Sequence, residues 1–404
     1  MGTTPAGIAR PVAVRDPRPG LSGVLPDELA AWLAERGHPA YRAKQLADAI
    51  WRSPAASFDE VLTLPAPLRD ELARTFRFDT VDDTEIRLSD GGLTAKGLHR
   101  LSDGALVESV LMRYPARGAQ KERNTLCISS QAGCAVGCPF CATGELGFSR
   151  DLETAEIVDQ VRHAGRRLAA DGRRLTNVVF MGMGEPLLNL DRVLAAVDAL
   201  NDPARFGLGA RHLTVSTSGV VPGMRRLTAL GPQFTLAVSL HAARDALRDV
   251  LVPLNRRWPI AEVVAAARDH AAATGRRVTY EATMIGGIND TPEDARAMAE
   301  LLRGDHAHVN LIPMNPVAHT PWSAAPDDVI EAFAETLRAA GIAATIRRNR
   351  GQEIGAACGQ LAAERAGEPA PAAVARRRER LIDESAHALR GERSQKPVPA
   401  GVGE

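Results

Sequence analysis

From about residue 120 onward, short β-branched runs alternate with longer amphipathic stretches, and that alternation leaves few folds open. Strand-like runs fall at 125–129, 177–181, 212–217, 234–240, 277–284 and 309–313. Helical patterns fill the gaps at 153–168, 190–200, 225–230, 260–273 and 291–302. A helix over 326–340 and a short strand over 344–347 close the series. Strands separated by helices pair in parallel through right-handed crossovers. Six such units, where a closed barrel has eight, predict an α/β fold built on a partial (βα)6 barrel over 120–364. Chemistry in such folds sits at the C-terminal ends of the strands.

The residues before the barrel read differently. Positions 1–22 are rich in Pro, Gly and Arg without periodicity and are expected to be disordered. Positions 23–76 read as an N-terminal helical module. Pro26-Asp27-Glu28-Leu29 starts one helix, Leu29, Trp32 and Leu33 share a face, and Gly37 ends it. A second helix runs from Tyr41 to Trp51. Positions 77–119 predict a small antiparallel sheet, because Ser89-Asp90-Gly91-Gly92 and Ser102-Asp103-Gly104-Ala105 place Asp-Gly turns between alternating stretches. Positions 365–404 turn to Ala, Arg, Pro and Glu and are expected to be a flexible tail.

A cysteine loop follows the first barrel strand directly. In Gln131-Ala-Gly-Cys134-Ala-Val-Gly-Cys138-Pro-Phe-Cys141-Ala-Thr-Gly144 the spacing is C-x3-C-x2-C. Three thiolates on one tight loop hold three irons of a [4Fe–4S] cluster and leave the fourth open to a small molecule. Other uses of such a run are three buried thiols or a zinc knuckle, but no fourth Cys or His follows at zinc-finger spacing. Five cysteines in all, three of them clustered, suit a reducing cytoplasm with a metal site. No apolar run is long enough for a membrane span, and the N-terminus lacks the apolar core of a secretory signal. With a formal net charge of +0, any polyanion must be met by local basic patches.

Further polar residues stand where apolar strands open onto the expected active face. Gly182 and Gly184 permit close backbone approach, and Glu185 offers a carboxylate to a ligand ammonium group. Ser216 ends the third strand, Ser239-Leu240-His241 the fourth, and Asn315 follows the sixth. Caps and Asx turns are the competing use of such residues. Cys127 lies in the first strand and Cys358 in the glycine-flanked segment 351–360; each is either an inert buried thiol or a reactive one. Glu108 lies between Leu106 and Val110 on one face of its strand, where an apolar setting suits proton transfer. Arg347, Arg348, Arg350, Arg166, Arg167, Arg42 and Lys44 are candidate phosphate contacts.

The cysteine loop with Gly182-Met-Gly-Glu-Pro186 resembles the radical S-adenosylmethionine (SAM) enzymes, in which SAM chelates the open iron. Tyr41-Arg-Ala-Lys-Gln45, Ser216-Thr-Ser-Gly219, Asn315-Pro316 and Ala357-Cys-Gly-Gln-Leu361 extend the likeness over 25–361. Together they resemble the dual-specificity RNA methyltransferases that methylate adenine C2 in 23S rRNA and certain tRNAs. That resemblance implies a radical-SAM barrel with Cys134, Cys138 and Cys141 on the cluster, and it makes the helical module of 23–76 an RNA-binding accessory domain. It implies SAM held by Gly184, Glu185, Ser216, Ser239, Leu240, His241 and Asn315. It implies a two-SAM cycle: Cys358 is methylated, a radical taken from that methyl group adds to C2, and Cys127 releases the product as a Cys127–Cys358 disulfide. Glu108 is then the base for the C2 proton, and an electron donor such as flavodoxin serves a monomeric cytoplasmic enzyme. Related enzymes act on adenine C8 and share most of these motifs. A non-catalytic iron–sulfur protein that binds RNA or senses redox state would need no SAM pocket.

Overall fold

A computed structural model describes residues 15–347, 349–362 and 371–391. The N-terminal module holds helices α1 (Pro26–Glu35), α2 (Tyr41–Trp51) and α3 (Ala66–Thr75). They pack around a core of their own, with Leu33, Leu46, Leu68, Leu72 and Phe78 at its centre. Leu21 is buried in that core, and Arg77 exchanges backbone hydrogen bonds with the 19–21 segment (Arg77 N to Pro19 O and Leu21 N to Arg77 O, both 2.9 Å). The expectation of disorder over 1–22 is therefore corrected for 15–22. A single bridged pair and one anchoring leucine leave no periodic trace in sequence. Residues 1–14 lie outside the described residues.

Strands β1 (Val81–Ser89), β2 (Thr94–Leu101) and β3 (Leu106–Tyr114) form the antiparallel sheet, turning at the two Asp-Gly sites. This sheet is continuous with the barrel. β3 pairs antiparallel with β4 (Arg123–Cys127), setting Val110 opposite Cys127 and Tyr114 opposite Arg123. After β4 come a two-stranded ribbon, β5 (Gln131–Gly133) with β6 (Phe148–Asp151), and the short helix α4 (Ala142–Leu146) between them. The barrel then alternates α5 (Thr154–Ala170), β7 (Asn177–Phe180), α6 (Leu190–Asn201), β8 (Leu213–Thr217), α7 (Val221–Leu230) and β9 (Thr235–Ser239). It continues through α8 (Asp245–Leu251), α9 (Ile260–Thr274), β10 (Val278–Met284), α10 (Pro292–Leu301), β11 (Ala307–Pro313), α11 (Asp327–Ala339) and β12 (Ala343–Ile346).

The large sheet has the order β1-β2-β3-β4-β7-β8-β9-β10-β11-β12, parallel from β4 onward. The six expected strands are all present. β12 adds a seventh parallel strand, so the barrel stays open between β12 and the antiparallel end. The segment after β12 crosses that opening. Ser89 Oγ donates to Glu353 (2.6 Å), Arg350 Nη1 to Arg113 O (2.9 Å) and Ala362 N to Glu108 (3.0 Å).

The second correction concerns 365–404. Helix α12 (Pro371–Leu389) forms there and contacts α8, with Leu381, Ser385 and Ala388 buried. Its buried stripe is only one residue wide per turn, too narrow to stand out among the surrounding Arg and Glu. Residues 363–370 and 392–404 lie outside the described residues. No helix among the described residues is long and apolar enough to cross a membrane.

Candidate active site

The cysteine loop is shaped by its ribbon. Cys134 N donates to Gly147 O (2.9 Å), closing the loop against β6. Gly133 at φ 79° is required there, since a Cβ would lie 1.9 Å from Gly147 O. Cys134, Cys138 and Cys141 line one wall of a cavity of about 990 Å³ at the C-terminal ends of the barrel strands. Burial pushes Cys134 up to about 12 and Cys138 well above the usual thiol range, and the neighbouring thiols reinforce the effect on both. Thiolates here need cationic partners, and metal binding supplies them while releasing protons. Among the described residues, no three such ligands are gathered around one point as a single ion would require. Three thiols on one wall, each free to meet a separate iron, fit a [4Fe–4S] cluster.

Glu185 is buried deep in the same cavity. Its Oε2 accepts from Ser218 N (2.7 Å) and Ser218 Oγ, its Oε1 from Leu187 N (3.1 Å), and its own N donates to Gln131 (2.8 Å). Burial raises its pKa, and the Ser218 bonds oppose that rise. Gly184 sits at φ 105° with Gln131 so close that a Cβ would meet it at 2.6 Å. Ser216, Ser239, His241 and Asn315 also line the cavity. Ser216 Oγ donates to Phe180 O (2.8 Å), which ties β8 to β7.

His241 has φ 60°, a conformation costing about 1–3 kcal/mol that its neighbours must hold. Its Nδ1 accepts from Thr283 N (3.1 Å), its O accepts from Asn289, and its ring lies 4.6 Å from Phe140 of the cysteine loop. Burial, then the Arg248 charge, lowers His241 to about 3, so the imidazole is neutral. Leu240 is buried beneath the rim and offers only backbone, its N to Glu281 O and its O to Arg248.

Sequence reading missed two charged residues here. Arg248, on the unforeseen helix α8, is fully buried and donates to Leu240 O, Ser218 O, Ser239 O and Asn255. It clamps the ends of β8 and β9 together, and its charge favours the Cys138 thiolate. Burial lowers its own pKa to about 10. Glu281 of β10 lines the cavity, accepts from Asn310 (2.8 Å), and has its pKa raised by burial. Its one signal is a carboxylate inside an apolar strand run.

A second cavity, of about 630 Å³, adjoins the first. Cys127 lines only this one, whereas Cys358 lines both. Asn315 Nδ2 donates to Cys358 O (2.9 Å), Ala142 N to Gly359 O (2.7 Å) and Thr143 Oγ1 to Leu361 O (2.7 Å), so the crossing segment is pinned over the cysteine loop. Burial pushes Cys127 up to about 12, the Cys358 charge adds to this, and the Arg347 charge opposes it. Arg347 also lines both cavities, and the Cys358 charge raises its pKa.

Glu108 is buried, and lines neither cavity. It pairs with buried Lys96 (3.1 Å) and accepts from Ala362 N. Of the basic candidates, Arg166 is engaged by Asp79 (2.6 Å) and Arg42 by Gln45 (2.7 Å) and Thr63 O. Arg350 lines the second cavity, and Arg348 lies outside the described residues.

Comparison with known proteins agrees with this geometry. Residues 128–302 match the family model described as the radical SAM superfamily. A protein of Parafrankia sp. (strain EAN1pec), called a probable dual-specificity RNA methyltransferase RlmN, is 51% identical over 364 residues, 87% of this chain and 93% of its own. One of the same name from Gemmatimonas aurantiaca is 47% identical over 345 residues, covering 85% and 92%. The crystal structure of a radical SAM methyltransferase from Sphaerobacter thermophilus superposes with a TM-score of 0.83 at 46% identity, covering 86% of this chain and 100% of that one. A chain with this barrel, this cysteine loop and these relatives belongs to the RlmN family of radical SAM RNA methyltransferases, which use a [4Fe–4S] cluster and SAM.

Proposed function

We propose that this protein methylates C2 of an adenine in 23S rRNA and in certain tRNAs, with Cys358 carrying the incoming carbon. The observation that carries this reading is the position of Cys358 at the junction of the two cavities, with Cys127 confined to the second. Cys134, Cys138 and Cys141 hold the cluster, and Gly184, Glu185, Ser216, Ser239, Leu240, His241 and Asn315 hold SAM. Glu185 and Glu281 are the carboxylates facing an ammonium group in that cavity.

The ordinary displacement chemistry of SAM suits nucleophiles, and adenine C2 is electron-poor. Cys358 is the nucleophile instead: its thiolate takes the sulfonium methyl, and a thioether forms. The bound cluster and a second SAM supply the one-electron cleavage that removes a hydrogen atom from that methyl group. The Cys358 methylene then bonds to C2. One electron leaves the adduct, for which the oxidised iron–sulfur cluster held by Cys134, Cys138 and Cys141 would be the acceptor, and the C2 proton passes to a base, which restores the aromatic ring. Glu108 is assigned as that base. Its pairing with Lys96 and the Ala362 amide keeps it next to the Cys358 segment. The Cys127 thiolate then attacks the Cys358 sulfur, the C–S electron pair goes to the methylene, and a proton completes the methyl group. The resulting Cys127–Cys358 disulfide takes two electrons from a thiol reductant before the next turnover.

Arg347 lines both cavities with the two thiols, and its charge opposes the burial that holds Cys127 protonated. A reduced carrier such as flavodoxin supplies the electron, and the chain works as a cytoplasmic monomer. Mass spectrometry of RNA nucleosides after reaction with reduced enzyme and SAM tests the regiochemistry. The expected product is 2-methyladenosine. Formation of 8-methyladenosine alone would overturn the C2 assignment.

A further inference from the structure

On the opposite end of the barrel, the helical module and the barrel enclose a groove of about 2130 Å³. It runs past the end of α2, the last turns of α5, and the N-terminal ends of β4, β7 and β8. Its charged lining is almost wholly basic, with Glu122 the one carboxylate among the described residues that line it. Arg162 and Arg166 are engaged by Asp79, and Arg52 by Asp48. Lys121, Arg123 and Arg174 are exposed, and none has an ion-pair partner among the described residues. The Arg174 segment is held in place, since its carbonyl accepts from Asn124 (3.0 Å).

This groove connects with the reactive cysteines along β3. Val110, Met112 and Tyr114 share one face of that strand and line the second cavity. Val110 stands opposite Cys127, and Tyr114 opposite Arg123 at the groove. The distance between those two points is about 14 Å at strand rise. At the groove end, Arg123 lies over the Tyr114 ring at 4.3 Å and Arg350 at 4.4 Å. Arg350 is fixed there by donating to Arg113 O (2.9 Å). Two guanidiniums brought to one aromatic ring form a site suited to a bridging anion.

We infer that the RNA backbone leaves the Cys127–Cys358 cavity along β3, crosses the Arg123–Tyr114–Arg350 stack and enters the groove between the helical module and the barrel. The groove thus binds phosphates of the substrate remote from the target base. This rests on the RNA methyltransferase reading, and the test separates the two. Binding to a whole tRNA transcript and to its isolated anticodon stem-loop is measured across a salt series, for wild type and for the Lys121→Ala/Arg123→Ala/Arg174→Ala variant. The single exposed change Arg174→Glu, with a thermal melt, guards against misfolding.

With the whole tRNA, the variant should show a log–log salt dependence shallower by about 2, three phosphates at about 0.7 each. Its affinity at low salt should fall about tenfold or more. The stem-loop should lose less than the whole tRNA, since of the three residues only Arg123, about 14 Å from the cavity, is assigned to the near end of the track. Unchanged affinity and salt slope on the whole tRNA would overturn the track, as would an equal loss on the stem-loop. Wild type that neither binds nor methylates RNA would overturn the underlying reading instead.

Discussion

Glu185 shows how much one side chain is asked to do. Its carboxylate joins the loops after β7 and β8 through Ser218 and Leu187, and it also lines the cavity proposed for SAM. Glu185→Gln keeps its shape but removes the charge and sets an amide against the Ser218 N–H. SAM affinity, measured anaerobically, should fall roughly ten- to a hundredfold, equivalent to about 1.5–3 kcal/mol. Iron content and visible absorption should stay as in wild type. Cys138→Ala should do the reverse, losing iron and colour, because the two remaining thiols cannot hold the cluster. Retained iron in that variant would contradict the ligand assignment. These polar strand-end residues were legible from sequence because they interrupt apolar runs at a predictable rim. Arg248 and Glu281 were not, since a charge within an apolar segment reads equally as an outward-facing residue. Only the folded neighbourhood shows Arg248 donating to three carbonyls from two strands.

At the scale of elements, a buried ion pair ties two of the antiparallel strands to each other. Lys96 of β2 and Glu108 of β3 are both fully enclosed (3% and 1% of the side chain exposed). Lys96→Met leaves the Glu108 carboxylate buried and unpaired, which should cost about 3–5 kcal/mol in urea unfolding. Lys96→Met/Glu108→Leu should recover most of that loss, since replacing both partners is often neutral. If the double variant is no more stable than the single one, the pair is not what makes Lys96 important.

His163 of α5 lies between Asp79 (3.2 Å) and Asp83 (3.2 Å), beside His99, Arg162 and Arg166. Burial opposes its charge, but the two carboxylates outweigh burial and raise it to about 9. A raised pKa contributes stability that is complete below the unfolded value of about 6.5 and fades as pH rises through 9. Wild type should therefore lose stability between pH 7 and about 9.5, and His163→Gln should lack that particular slope. Parallel slopes in the two proteins would contradict the assignment. The strands themselves were legible from β-branched runs bounded by turns. The pairing of β3 with β4 was not, because neither strand carries a local mark of its partner. It is this pairing that sets Cys127 beside Val110 and makes the second cavity.

For the whole molecule, the open side of the barrel matters most. Among the described residues β12 has no partner strand beyond it, and the segment after it crosses to β1 and β3, fixing Cys358 over the junction of the cavities. Sequence alone placed Cys358 on a glycine-flanked loop, but not where that loop lands, because its anchors lie on strands more than 200 residues earlier. The central claim is that Cys358 carries the carbon and Cys127 releases it. It is tested most directly with Cys127→Ala, incubated anaerobically with reductant, SAM and RNA. Methyl loading and addition to C2 do not need Cys127, so protein should accumulate covalently joined to RNA through Cys358. A slower, ribonuclease-sensitive band on a denaturing gel reports this adduct, and it should vanish in Cys127→Ala/Cys358→Ala. Normal turnover by Cys127→Ala with no such band would contradict the account.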